Sequence, residues 1–342
     1  MCLYPRMITN RKYTNNKKND LKYGKGNVPI AKDKRTLLVP VGCGKCMECR
    51  KQKANQWKVR MMEDIRVNKN AKFITLTFSE HELGKIDREI KGLSGYERDN
   101  EITRIAVRRF TERWRKKYKK TIRHWLVTEL GHNGTERIHM HGLVWTDEKI
   151  KEIRKIWKYG RVVEGDGKGV SYVNEKSIGY IVKYISKADE KHKEYKSKVY
   201  ASKGLGKGYI KRRNAELNVY KSKDTDTTYR TRTGHKIGLP VYYRNKLYNE
   251  EQREALWLEM LDKEERWVDG VRIDVSKNDD EYYKKLDEAR KKSKRLGYAD
   301  NSENWEQKKY EIERRNIIRM QRIKKLYEAT LERGGGKKTV KI

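Results

Sequence analysis

Two histidines one residue apart, His139-Met140-His141, sit in a stretch, Arg137 to Trp145, whose apolar residues alternate. As a β-strand it puts His139, His141, Leu143 and Trp145 on one face, and Ile138, Met140 and Val144 on the other. The imidazoles are then neighbours about 7 Å apart at their backbones, and both can lean onto one divalent cation. A strand from His124 to Leu130 precedes them, joined by Gly131-His132-Asn133-Gly134-Thr135-Glu136, whose Asn-Gly and length suit a hairpin. Pairing symmetric about residue 134 sets Glu129 opposite His139 on the same face, whereas a one-residue slip aims it away. His132 and Glu136 stand nearby as alternative third ligands. Two neutral imidazoles and one carboxylate leave coordination positions open, where phosphate oxygens can bind and a phosphodiester can be polarised. A lone His-x-His also occurs as a surface pair. The His-x-His-x-His pattern of nucleotide hydrolases does not apply, because Leu143 holds the next position on that face.

A second constellation follows from Ser177: Ile178-Gly179-Tyr180-Ile181-Val182-Lys183-Tyr184-Ile185-Ser186-Lys187. As a helix, Ile178, Ile181, Val182 and Ile185 form an apolar stripe, and Tyr180, Lys183, Tyr184 and Lys187 share the opposite face. Such a segment is either an amphipathic helix with a Tyr/Lys solvent face or a carrier of paired nucleophiles. A phenol is mostly protonated at neutral pH, so attack needs cationic neighbours or a polarised phosphate. Lys183, between the two tyrosines, is placed to supply that charge.

The four cysteines are Cys2, Cys43, Cys46 and Cys49. Cys-x2-Cys-x2-Cys brings three thiols within reach of one ion, and Cys2 can supply the fourth ligand of a tetrahedral structural zinc site. Four reduced thiols are the other reading. An iron–sulfur cluster fits less well, since its common pattern wants a further Cys about four residues on, where Lys53 stands. Disulfides are disfavoured in a cytoplasm.

The positioning elements are legible around these residues. Lys72 to Phe78 alternates, with Ile74, Leu76 and Phe78 on one face and Phe73, Thr75 and Thr77 on the other. A basic helix is expected from about Glu101 to Lys120, with Ile102, Ala106, Phe110, Trp114 and Tyr118 buried. Opposite them lie Arg104, Arg108, Arg115 and Lys119, a solvated face or a DNA contact. Cys49 to Asp64 reads as another basic helix, with Trp57, Met61 and Ile65 at helical spacing.

The chain of 342 residues carries 84 Lys and Arg against 48 Asp and Glu, a net charge of +36. No apolar run approaches the ~18 residues a membrane span needs. The start, Met1 to Arg6, lacks the apolar core of a signal peptide, so the chain is expected to act where it is made. The cationic excess calls for a polyanion, nucleic acid before membrane, with 22 Tyr and 8 Trp available for stacking. Steep salt sensitivity of DNA binding follows.

Residues 241–342 hold 26 basic and 21 acidic side chains, leaving +31 on the first 240. They read as a helical region with stripes at Leu256, Trp257, Met260 and Leu261 and at Ile317, Ile318, Ile323 and Leu326, ending in a disordered tail at Gly334-Gly335-Gly336. Polar stretches near 80–101 and 186–240 read as seams. The division is therefore 1–70, a Cys-rich basic segment; 71–240, a nuclease-like domain; and 241–342. No Gly-x4-Gly-Lys-Ser/Thr loop is present, and Gly204-Leu205-Gly206-Lys207-Gly208 reads as a flexible loop that can touch DNA.

Taken in order, Thr75-Leu76-Thr77, His139-Met140-His141 and Tyr180-x3-Tyr184 with Lys183 and Lys187 resemble the three motifs of the HUH rolling-circle replication initiators. The two-tyrosine form is similar to the initiators of microviruses. The Cys43-Gly44-Lys45-Cys46-x2-Cys49 knot, followed by Trp57 and Arg60, is most similar to their gokushovirus branch. The resemblance covers roughly residues 1–240. It implies an α+β fold, a central antiparallel sheet flanked by helices, with the histidine strand in the middle and the tyrosine helix beside it. It implies that His139, His141 and Glu129 hold Mg2+ or Mn2+, and that a tyrosine cuts origin single-stranded DNA. The products are a 5′-phosphotyrosyl link and a 3′-OH for the host polymerase, with a host helicase unwinding. The second tyrosine then serves the closing cleavage. The expected location is the cytoplasm of a bacterial host. The rivals are a non-catalytic basic nucleic-acid-binding or packaging protein, and a plasmid replication protein or transposase with the same chemistry.

Overall fold

Period-two alternation around the histidines builds a five-stranded sheet. The structure, a computed structural model, describes residues 2–131, 136–165, 173–189, 191–300 and 328. In chain order its elements begin with β1 (Arg6–Thr9), α1 (Lys17–Tyr23), β2 (Leu38–Val41), α2 (Met47–Val67), β3 (Ala71–Leu76), α3 (Glu80–Arg88) and α4 (Gly95–Tyr118). There follow β4 (Arg123–Leu130), β5 (Ile138–Trp145), α5 (Ile150–Trp157), β6 (Val162–Glu164), α6 (Glu175–Ile181), α7 (Lys183–Ser186) and β7 (Val199–Ala201). The last are β8 (Thr228–Arg230), β9 (Lys236–Gly238), α8 (Val241–Leu247), α9 (Glu250–Asp262), β10 (Glu265–Val268), β11 (Val271–Asp274) and α10 (Asp280–Arg295). The chain forms two compact units: residues 50–249, and the first 49 residues together with those from Glu250 onward. The two ends, read separately in the sequence, thus share one unit.

In the unit spanning 50–249 the sheet order is β6-β3-β5-β4-β7, antiparallel throughout, so the histidine strand β5 is central. This is the α+β architecture expected. One face carries Ile74, Leu76, Met140 and Val144, covered by Ile102, Ala106, Phe110 and Trp114 of α4 and by Ile153 and Trp157 of α5. The other carries Phe73, Trp125, Leu143 and Trp145, covered by Met61 and Met62 of α2 and by Ile178, Ile181 and Ile185. Each face therefore follows the alternation in its strand.

Strands β4 and β5 pair with Glu129 opposite His139 and Val127 opposite His141. Gly142, opposite Leu126, holds this pairing close: a Cβ there would lie 2.0 Å from the Trp125 carbonyl oxygen and 2.8 Å from Leu126 Cα. Backbone cannot yield as a side chain does, so Gly142→Ala is expected to cost about 3 kcal/mol, at the upper end for overpacking. Urea unfolding checks this: a lowered midpoint is expected, and an unchanged one contradicts the close approach.

In the other unit, Leu3, Tyr4 and Cys46 pack with Val268, Ile273, Tyr282, Leu286 and Ala289. The region read as helical here also contains a hairpin, β10–β11, paired Val268 to Val271. Asp269 and Gly270 both take positive φ, 47° and 83°, as a two-residue hairpin turn requires. The Asp-Gly pair between two short apolar-alternating runs is the sequence signal for it. The second apolar stripe, Ile317 to Leu326, and the glycine tail lie outside the described residues. No helix among the described residues is long and apolar enough to cross a membrane.

Candidate active site and metal centres

Three side chains from two neighbouring strands converge on one point. His139 Nε2 lies 3.2 Å and His141 Nε2 3.0 Å from the same Glu129 carboxylate oxygen. The other ring nitrogens are held from behind. His139 Nδ1 is 3.1 Å from the Arg137 carbonyl, which only accepts, so Nδ1 carries the hydrogen. His141 Nδ1 sits 2.9 Å from Thr75 Oγ1 on β3. These supports orient both Nε2 lone pairs inward.

Burial works against the Glu129 carboxylate, yet hydrogen bonding to His139 and His141 holds its pKa down to about 2. Burial pushes His141 downward, against the pull of Glu129, and so favours its neutral form. Two imidazole lone pairs and an ionised carboxylate oxygen face one another here, an arrangement that a shared cation satisfies. The donor set fits a divalent metal. Glu129 is the carboxylate that converges; Glu136 instead lies 3.7 Å from His192 Nε2, and His132 lies outside the described residues.

The tyrosines meet this cluster from the covering helices. The expected single helix is two, α6 and α7, with a turn at Val182 whose carbonyl accepts from both Ile185 and Ser186. Gly179 weakens this segment as a helix, and the Ser186 hydroxyl also reaches the Val182 carbonyl, a contact that bends helices. The four-residue spacing of the phenols survives the turn. Asn174 and Ser177 close the N-terminal end with a reciprocal capping box. Beyond α7, the buried Arg50 guanidinium donates to the Lys187 and Tyr195 carbonyls at 3.1 and 3.0 Å, a support that no sequence pattern announced.

The Tyr184 ring stacks on His141 with centroids 4.0 Å apart and planes 5° from parallel. Its hydroxyl is 3.1 Å from that of Tyr180, a residue that is 42% exposed. Lys183 Nζ stands 5.8 Å from the Tyr180 ring centroid, and Lys183 and Lys187 are exposed. An open cleft of about 850 Å³ runs from Glu129 and His139 past Thr77, Arg137 and Arg161. Sequence reading missed Arg137 and Arg161, which join the cleft through different segments.

Arg104, Arg108 and Arg115 are exposed on α4, which covers the sheet face opposite the histidines. Arg104 pairs with Glu101, and Arg108 lies 3.9 Å from Glu112. The fold therefore does not bring this stripe to the His/Tyr cluster.

In the other unit Cys2, Cys43, Cys46 and Cys49 converge, their sulfurs within 4.8 Å of one another. Cys2 and Cys46 sulfurs are 3.9 Å apart, and those of Cys43 and Cys49 4.0 Å. A tetrahedral ion with bonds of about 2.3 Å separates its sulfurs by about 3.8 Å. Backbone N–H groups of Tyr4 and Cys43 point at Cys2 Sγ from 3.3 and 3.2 Å, and that of Cys46 at Cys43 Sγ from 3.3 Å, as sulfurs carrying negative charge require. All four are free of disulfides. This unit's core is small, so an ion bound here contributes directly to its folding. Cys46→Ser is expected to abolish one bound ion per chain and lower the melting temperature by at least about 5 °C. Elemental analysis beside a thermal scan reads both, and folded wild-type protein without metal contradicts the site.

Residues 71–189, about a third of the chain, match the family model described as Replication-associated protein ORF2. That family comprises rolling-circle replication initiators, and the match supports this general kind for the chain. The matched span contains β3, both histidines, Glu129 and both tyrosines. No curated protein and no solved structure matches.

Proposed function

We propose that the chain is a site-specific endonuclease and strand transferase for single-stranded DNA that starts and ends rolling-circle replication of a circular phage genome. The observation that carries this reading is the stack of Tyr184 on His141, with the Tyr180 hydroxyl 3.1 Å from that of Tyr184. It puts two phenol nucleophiles beside a His/His/Glu donor set, a combination that a coating protein has no use for. His139, His141 and Glu129 would hold Mg2+ or Mn2+. When bound, such a cation supplies a Lewis acid for the oxygens of the scissile phosphate.

The chain's own groups do the rest. One phenol, losing its proton to solvent under the influence of the Lys183 ammonium, attacks phosphorus. The bond to the 3′ oxygen breaks, that oxygen takes a proton, and the 5′-phosphate stays on the tyrosine. Attack by a 3′-OH on the phosphotyrosine reverses the step and joins strands without ATP, consistent with the missing phosphate-binding loop. The freed 3′-OH suits a host polymerase, with unwinding left to a host helicase in the bacterial cytoplasm. The two-tyrosine form and the cysteine cluster favour a microvirus of the gokushovirus type, with zinc as the cysteine-bound ion. The Arg104, Arg108 and Arg115 stripe would touch DNA away from the cut.

The test is incubation with Mn2+ and 3′-labelled single-stranded oligonucleotides tiling the replicon that carries the gene. One oligonucleotide should leave its label on denatured protein, EDTA should abolish this, and fresh Mn2+ should restore it. Cutting without attachment, or attachment indifferent to EDTA, contradicts the proposal.

A further inference from the structure

A second cleft in the 50–249 unit, of about 720 Å³, takes no part in the chemistry above. Its lining includes five cations, Arg60, Lys203, Lys207, Lys211 and Lys246, no acidic residue, and the rings of Trp57 and Tyr242. The Arg60 guanidinium is sandwiched, its carbon 4.3 Å from the Trp57 ring centroid and 4.0 Å from that of Tyr242. Arg60 Nε donates to the Leu205 carbonyl at 3.1 Å, while its two terminal nitrogens have no hydrogen-bond or ion-pair partner among the described residues. The loop pressing on it needs glycine: Gly206 has φ 73°, and a Cβ there would lie 2.5 Å from the Arg60 carbonyl oxygen. Nor do the four lysines make an ion pair among the described residues. A planar fork fixed between two rings, inside a wholly cationic rim, is preorganised for a phosphodiester.

We infer that this cleft holds a non-scissile segment of single-stranded DNA, with Arg60 gripping a phosphate and unstacked bases lying against the aromatic pair. The inference rests on the reading of the chain as acting on single strands. Aromatic rings reward bases that are free to stack on them, which a duplex does not offer.

Fluorescence anisotropy with a labelled 20-nucleotide single strand, without added divalent cation and over a salt series, tests it. Lys203→Glu/Lys207→Glu/Lys246→Glu is expected to weaken binding at least tenfold. Its slope of log affinity against log salt should fall by about 2, at about 0.7 per single-strand phosphate neutralised. Lys25→Glu/Lys32→Glu/Lys34→Glu, exposed lysines of the other unit with the same charge change, should shift affinity less than threefold. Tyr242→Ala should weaken binding about fivefold or more with the salt slope unchanged, as loss of stacking does. Equal weakening by the two lysine triples, or no weakening by the cleft triple in protein that melts normally, overturns the inference. Because this readout needs no cleavage, wild-type protein that binds so but never forms a covalent product sinks the nuclease reading alone. Covalent product with binding indifferent to the cleft sinks this inference alone.

Discussion

Tyr180→Phe/Tyr184→Phe loses the covalent protein–DNA product by at least about 1,000-fold, because removing a nucleophile removes the step it performs. The ring packing survives the change: Tyr184 keeps its stack on His141 and Tyr180 its edge contact with Phe73, both made by carbon atoms. Fold and oligonucleotide binding should therefore stay as in the wild type, and only the oxygens are lost. Either single variant should still form an adduct, since the two hydroxyls are 3.1 Å apart and address the same space. Gel separation of labelled adduct from free DNA checks all three proteins. Adduct formed by the double variant at the wild-type level contradicts the nucleophile assignment.

His139→Ala/His141→Ala should lower cleavage at least about 100-fold, the scale of losing several kcal/mol of charge stabilisation at phosphorus. Binding of the same oligonucleotide should remain within about threefold, since the cationic surfaces are untouched. Glu129 would keep its place on β4 but lose both imidazole partners, which lie 3.0 and 3.2 Å from it. Anisotropy for binding beside a cleavage gel separates the two effects. Lost binding with undiminished cleavage of what remains bound would contradict the ligand role.

Much of this centre was legible because its parts are local. Alternation in Phe73 to Phe78 and Ile138 to Trp145 fixes which side chains share a face, and both cores follow it. The register was legible too: Asn133-Gly134 at the middle of the connection implies symmetric pairing, and Glu129 stands opposite His139. What stayed hidden depends on segments far apart in the chain. Amphipathicity shows that α4 buries Ile102 and Phe110 but not against which side of the sheet, so its arginines could not be placed relative to the histidines. The partners of the cysteine segment, Val268, Ile273 and Tyr282, lie more than 200 residues away with no local mark. The same holds for the Trp57, Arg60 and Tyr242 sandwich, and for Arg50, whose partners are carbonyls that sequence does not display. The break at Val182 escaped because Ile178 to Ile185 keeps a helical spacing across it.

The most direct measurement is mass spectrometry of the covalent product after nuclease trimming and trypsin digestion. Cleavage after Lys176, Lys183 and Lys187 separates the two phenols, leaving Tyr180 in the peptide 177–183 and Tyr184 in the peptide 184–187. The predicted result is a nucleotide 5′-phosphate mass on one or both of these peptides, at tyrosine. DNA cut with no adduct on either peptide, or an adduct at any other residue, would contradict the account.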